Sequence, residues 1–177
     1  MAEAFNRLLQ AVRLQRDAFV WMDFNDRATA DGLMFVVGTR ILLLLGFGGS
    51  ILGLATSGLG GLEVLFYSMV NAIVFWLAYA GLTYAVARFL LQAGGTYAIY
   101  LRMTGFAYPT LLLLIVTARL GLPSYAAFLV GSVWFLAVVT RGITYESDLP
   151  TERAAIAAGG GLIAWMIVAS IIGRGLI

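Results

Sequence analysis

Hydrophobic positions along this chain fall into long blocks from Ile41 onward, and single charged residues or short polar stretches separate the blocks. A charge at the centre of a bilayer is costly, so the charges should mark the ends of membrane-spanning helices. Most blocks are long enough to cross a hydrocarbon layer of roughly 30 Å as a helix. The pattern predicts an all-α, polytopic membrane protein with five spans, over residues 41–62, 64–87, 103–118, 120–140 and 154–173.

The third of these predicted spans is short for a bilayer and contains Pro109. We expect it to gain length because Arg102 reaches toward the headgroups, or because the lipid is locally thinner.

The first part of the chain has a different periodicity, in which Phe5, Leu8, Val12 and Phe19 recur at helical spacing and polar residues occupy another arc. This pattern predicts an N-terminal interfacial amphipathic helix, with Trp21 at headgroup depth. We therefore divide the chain into a cytoplasmic interfacial arm, residues 1–31, and a five-span membrane domain, residues 32–177. A signal peptide is not expected, since no cleavage site follows a short apolar core.

Composition narrows the chemistry further: 62% of the residues are hydrophobic and 11% are charged. The chain has no His, Cys or Lys, which removes imidazole bases, thiolates, Schiff-base lysines and the usual haem and Fe–S ligands. No basic block of the kind that binds nucleic acid is present. We therefore expect a protein that is not an enzyme, has no metal site or cofactor of its own, and does not bind nucleic acid.

The distribution of Arg predicts the orientation, because basic loops stay on the cytoplasmic side. Five spans with a cytoplasmic N-terminus leave only Arg119 and Arg174 outside. The cytoplasmic set is Arg7, Arg13, Arg16, Arg27, Arg40, Arg88, Arg102, Arg141 and Arg153. High Gly, Ala and Arg without Lys favours a prokaryotic coding sequence, so we expect the inner (plasma) membrane, with the C-terminus outside.

Three stretches of the chain resemble a known family. Gly105-Phe106-Ala107-Tyr108-Pro109 is followed by a leucine run, and Arg141 with Tyr145-Glu146-Ser147 is followed by Arg153-Ala154. Together with the N-terminal run Leu14-Gln15-Arg16-Asp17-Ala18-Phe19, followed by Asp26-Arg27-Ala28-Thr29-Ala30-Asp31, they resemble the bacterial members of the Yip (Ypt-interacting protein) domain family. The resemblance implies a five-span membrane fold, and it predicts the fold better than the function.

Small residues recur at four-residue intervals in three spans, a pattern that lets helices approach closely. The residues concerned are Gly49, Gly53, Ser57, Ala127, Gly131, Ala157 and Gly161. Packing within this chain's own bundle is the simpler interpretation, and a docking face for other membrane subunits is the alternative.

Trp76, Trp134 and Trp165 fall well inside their spans instead of at the interface where Trp usually collects. Bulk filling between helices accounts for them. The alternative is a lipid, quinone or pigment bound at the protein surface.

Arg40, Glu63 and Asn71 are the polar residues that merit weighing as a polar path, since an intramembrane ionisable group is a functional hypothesis by default. The pattern places Arg40 and Glu63 at span ends on opposite sides of the bilayer, which weakens that hypothesis. Asn71, inside the second span, is expected to bond to a neighbouring helix or to an exposed carbonyl.

The leading functional hypothesis is a non-enzymatic scaffold or accessory subunit of a larger membrane complex, whose partners are the lipid bilayer and other membrane subunits. The alternative is a channel, carrier or lipid-handling protein with Arg40, Glu63 and Asn71 along its pathway. Movement of ions, small solutes or lipids that is lost in Asn71→Leu would favour the alternative, whereas stoichiometric partners would favour the scaffold.

Overall fold

The computed structural model describes residues 2–47 and 61–175, with side chains from residue 63 to residue 171 in the second range. Helices α1 (Ala2–Val12), α2 (Arg16–Phe24) and α3 (Arg27–Gly46) precede α4 (Gly61–Ala85), which ends in a π-helical turn. Next come α5 (Tyr97–Ala107), a 3-10 turn and α6 (Leu113–Arg119). Helices α7 (Ser124–Ser147) and α8 (Thr151–Gly175) follow. The described residues contain no strand, so the all-α prediction is confirmed.

Within residues 2–47 and 61–175, five helical segments are long and apolar enough to cross a membrane, as predicted for a multi-pass membrane protein. They cover Arg27–Gly46, Glu63–Leu90, Tyr97–Arg119, Ser124–Ser147 and Thr151–Ile171. The first begins at Arg27 instead of Ile41, within the segment predicted as the arm, so Arg40 lies inside the helix and does not mark its start.

The third segment runs from Tyr97 to Arg119 and is longer than predicted. Arg102 lies inside it and is 6% exposed, so it neither begins the span nor reaches for the headgroups. Pro109 lies in the 3-10 turn between α5 and α6, where its missing N–H interrupts the α-helical ladder. The segment therefore continues through a local change of helix type and needs no thinner bilayer to explain its length.

Helix α7, which forms the fourth span, begins at Ser124, four residues later than predicted. It ends at Ser147, seven residues later than predicted. Gly121 has a φ of +79°, and Pro123 precedes the helix, so residues 120–123 form the connection. The helix instead continues past Arg141, whose guanidinium lies 4.5 Å from the Tyr145 ring centroid.

The predicted amphipathic arm helix is present as two helices, because the chain reverses at Leu14. Leu14 has a φ of +61°, and the Gln15 N–H donates back to the Gln10 carbonyl at 2.9 Å, which closes the end of α1. Each helix buries an apolar face and leaves Phe5, Leu9 and Phe24 exposed on the other side.

Helix α5 is the centre of the molecule. Every residue from Ile99 to Ala107 is buried, and α1, α2, α3, α4 and α7 all contact it. The arm therefore packs on the bundle as part of the core, which extends from α1 and α2 through α5 to α8.

Candidate functional site

A cleft of about 550 Å³ lies between α3 and α4, and we call it the α3–α4 cleft. Its described lining comes from these two helices and combines apolar with polar side chains. The lining residues are Arg40, Leu44, Glu63, Val64, Tyr67, Ser68 and Asn71. All three residues of the predicted polar path therefore line one cavity.

Arg40 holds the two walls of the cleft together. Its Nε donates to Ser68 Oγ at 2.5 Å, and Ser68 is 5% exposed. Arg40 lies six residues before the end of α3, or about 9 Å along the axis. An arginine at this depth of a candidate span needs a polar environment, and Ser68 supplies part of it.

The prediction that Arg40 and Glu63 lie on opposite sides of the bilayer is wrong. Glu63 lies near the start of α4, and the antiparallel course of α3 and α4 brings it into the same cleft as Arg40. The two side chains are not an ion pair: among the described residues, Arg102 and Asp26 form the only one. The cleft thus presents one guanidinium and one carboxylate that are separated from each other.

Asn71 lies exposed at the cleft, one helical turn along α4 from Ser68. Next to Asn71, Ser68 accepts an interhelical hydrogen bond from Arg40, and sequence reasoning missed this residue. Tyr67, a second missed residue, is 74% exposed beside them. The spacing of Glu63, Tyr67 and Asn71 at four-residue intervals could have revealed this polar face of α4.

The described members of the small-residue stripes are packed inside the bundle. Ala127 and Ala157 are buried. A Cβ built on Gly131 would lie 3.3 Å from Leu114 Cγ, and one on Gly161 would lie 2.9 Å from Thr83 Cα. These residues therefore serve contacts within the chain; Gly49, Gly53 and Ser57 lie outside the described residues.

Two of the three tryptophans fill space between helices. Trp76 is 3% exposed and its Nε1 donates to the Leu101 carbonyl at 2.9 Å, while Trp165 packs edge-on against Phe75 with ring centroids 5.5 Å apart. Trp134 is 40% exposed and lines an apolar groove of about 470 Å³ with Pro109 and Val12.

A second polar cluster surrounds Arg102, on the side of the bundle where the arm packs. Its Nη1 donates to the Met22 and Asp23 carbonyls at 2.9 and 3.1 Å. Its Nε donates to Thr29 Oγ1 at 3.0 Å, and its Nη2 pairs with the exposed Asp26 carboxylate at 2.5 Å. We call residues 22–29 the α2–α3 corner. Four of the five guanidinium N–H groups can thus be satisfied at that corner.

Gly105 and Phe106, from the stretches that carry the family resemblance, support this corner. Gly105 contacts the Gly32 main chain of α3, and Phe106 packs edge-on against Phe35 with ring centroids 5.0 Å apart. Close packing of α3 on α5 requires a residue without a side chain at position 105.

The loop stretch of the resemblance meets the arm helices. Arg141 and Arg16 both lie over the Tyr145 ring, and Glu146 shares a cavity of about 70 Å³ with Asp23. Ser147 Oγ donates to the Ile143 carbonyl at 2.6 Å. Arg153 is exposed and Ala154 is buried at the start of α8.

No protein-family model matches the chain, and no curated protein or solved structure matches it either. The resemblance to the Yip family thus remains a prediction carried by the motifs alone. In the described part of the chain, no group of three or more acidic residues is placed to hold a metal ion.

Proposed function

We propose that this chain is a non-enzymatic, membrane-embedded protein that binds a lipid in the α3–α4 cleft. The observation that carries the proposal is the convergence of Arg40, Glu63 and Asn71, from two different helices, on one cavity. A volume of about 550 Å³ falls within the usual range for small-molecule sites of roughly 300–1,000 Å³. Leu44 and Val64 add the apolar surface that an amphiphile requires.

Lipid binding fits this geometry better than conduction. The described lining comes from two neighbouring helices, whereas a conducting pathway is enclosed by several helices and runs between both sides of the bundle. We expect a lipid to enter a groove between two adjacent helices from the surrounding bilayer.

The scaffold hypothesis receives less support from the described residues. The small-residue faces on α7 and α8 that it would use are occupied by Leu114 and Thr83 of the same chain. Its remaining candidate face, Gly49, Gly53 and Ser57, lies outside the described residues. Stoichiometric partner subunits in a native extract, with no bound lipid, would favour the scaffold over the proposal made here.

Replacing Arg40 with Met should lower the retention of bound phospholipid about tenfold, because the variant keeps the shape of the stem but loses the charged hydrogen-bond donor. Native mass spectrometry of the purified protein measures the bound fraction. The matched control is Arg119→Met, which removes an exposed arginine near the same end of α3. Equal lipid retention by the wild type and both variants would contradict the proposal.

We further propose that the arm faces the cytoplasm of a prokaryotic cell. The structure places Arg40 near the end of α3 that lies away from the arm. Most of the other arginines still lie on the arm's side of the bundle, as the positive-inside rule requires of the cytoplasmic side. Because the chain has no Cys, single substitutions give clean labels. An impermeant maleimide should label Ser124→Cys in intact spheroplasts and label Glu152→Cys only after lysis; the reverse pattern would invert the orientation.

A further inference from the structure

We propose that the lipid in the α3–α4 cleft is a zwitterionic phospholipid with a primary ammonium group, of the phosphoethanolamine class, whose phosphate contacts Arg40 and whose ammonium contacts Glu63. This inference rests on the proposed function and deepens it, since it specifies which headgroup the cleft selects.

The polar groups of the cleft follow the order of groups in such a lipid. Glu63 lies near the start of α4, and Ser68, which accepts a hydrogen bond from Arg40, lies about 7.5 Å further along the helix axis. Asn71 lies a further 4.5 Å or so along the same helix. An ammonium outermost, a phosphate next and an ester carbonyl deepest would therefore meet a carboxylate, a guanidinium and an amide in turn.

The charges of the cleft also match a zwitterion. Arg40 and Glu63 line the same cavity without pairing with each other, so each benefits from an opposite charge on the ligand. A phospholipid with only an anionic headgroup would satisfy Arg40 and place a like charge near Glu63. A zwitterionic headgroup satisfies both residues and leaves the occupied site neutral.

Glu63 distinguishes a primary ammonium from a quaternary one. A primary ammonium has three N–H donors for a carboxylate, whereas choline has none. Quaternary ammonium groups are bound by cages of several aromatic rings, and Tyr67 is the only aromatic side chain among the described lining residues.

The outer face of α4 continues the cleft with a track for an acyl chain. Val70, Val74 and Leu77 are exposed to the surroundings of the bundle at spacings of three and four residues, which places them on one helical face. Val70 lies beside Asn71, and Val74 and Leu77 follow Asn71 in the direction away from Glu63, so an acyl chain attached at the ester position would run along them.

The test uses the full chain, stripped of lipid in detergent and then titrated separately with phosphatidylethanolamine, phosphatidylglycerol, phosphatidylcholine and diacylglycerol. Native mass spectrometry reads the bound fraction. Wild type should prefer phosphatidylethanolamine to each of the other three by about tenfold. Glu63→Gln should abolish the preference over phosphatidylglycerol, and Arg40→Met should weaken both phospholipids. Glu152→Gln, which neutralises an exposed acid on α8, should leave the preference unchanged.

The outcomes separate the headgroup inference from the proposed function. Equal binding of phosphatidylethanolamine and phosphatidylglycerol by wild type, or an unchanged ratio in Glu63→Gln, overturns the headgroup inference while Arg40-dependent lipid binding still stands. Phosphatidylcholine or diacylglycerol binding as tightly as phosphatidylethanolamine overturns it as well. Absence of any bound lipid overturns both proposals. Glu63 is exposed at the beginning of α4, so Glu63→Gln should have the melting temperature of the wild type. An unchanged melting temperature shows that the lipid titrations compare two folded proteins.

Discussion

Replacing Arg102 with Met is expected to destabilise the protein by about 3 kcal/mol and to release the arm helices from the bundle. The guanidinium is 6% exposed and donates to two main-chain carbonyls at the end of α2 and to Thr29 at the start of α3. The variant fills a similar volume, but it leaves the buried Met22 carbonyl and the partly buried Asp23 and Thr29 acceptors without this donor. Thermal unfolding in detergent measures the loss of stability, and limited proteolysis around Leu14 measures release of the arm.

Two further variants separate the contributions of the ion pair and of the other hydrogen bonds of Arg102 to stability. Asp26→Asn should change stability little, because the Asp26 side chain is fully exposed and its ion pair is screened by solvent. Arg102→Lys should be intermediate, since an ammonium keeps the charge but cannot reach the same acceptors with a planar fork. A wild-type melting temperature and proteolysis pattern for Arg102→Met would show that the cluster contributes no stability.

Gly105→Ala should destabilise the protein by roughly 1–3 kcal/mol through overpacking between α3 and α5. The added Cβ would lie 2.8 Å from Gly32 Cα and 3.1 Å from its carbonyl carbon, and a helix main chain cannot move aside as a flexible side chain can. The two helices would have to separate, which would also disturb the Arg102 contacts to the α2–α3 corner.

Gly38→Ala is the matched control for this prediction. A Cβ at Gly38 would meet nothing within 4 Å, so the better helix propensity of Ala should raise stability by up to about 1 kcal/mol. Urea or dodecyl sulfate titration of both variants gives the sign of each effect. If both alanines stabilise the protein, the close approach of α3 and α5 is not as the structure describes it.

The sequence predicted the helical class and the number of spans because these depend on local composition. Apolar blocks between charges correspond to helices whatever their partners are. The limits of the spans were less accurate, since the prediction assumed that every charge lies at a span end. Arg40 and Arg102 violate that assumption because their hydrogen-bond acceptors are distant in the sequence. The acceptor of Arg40 is 28 positions away, and those of Arg102 are 73 to 80 positions away. No periodicity in a single chain reveals such partners.

The sequence predicted three residues of the candidate site but not their arrangement in space. Arg40, Glu63 and Asn71 stood out because polar side chains are expensive in a bilayer, but their common cleft depends on how α3 and α4 cross. Ser68 was missed because serine is ordinary in membrane helices. The break in the arm was missed too, since Leu14 in a left-handed conformation has no sequence signal comparable to glycine.

The hydrogen bonds from Arg102 to the α2–α3 corner have a consequence for biosynthesis. Met22 and Arg102 are 80 residues apart in the chain, so the arm leaves the ribosome well before its anchor is made. At about 5–20 residues per second, the arm must wait roughly 4–16 s before the third span arrives. During that interval α1 and α2 have each other as partners but not α5, so we expect the faces that pack on α5 to rest on the neighbouring bilayer surface.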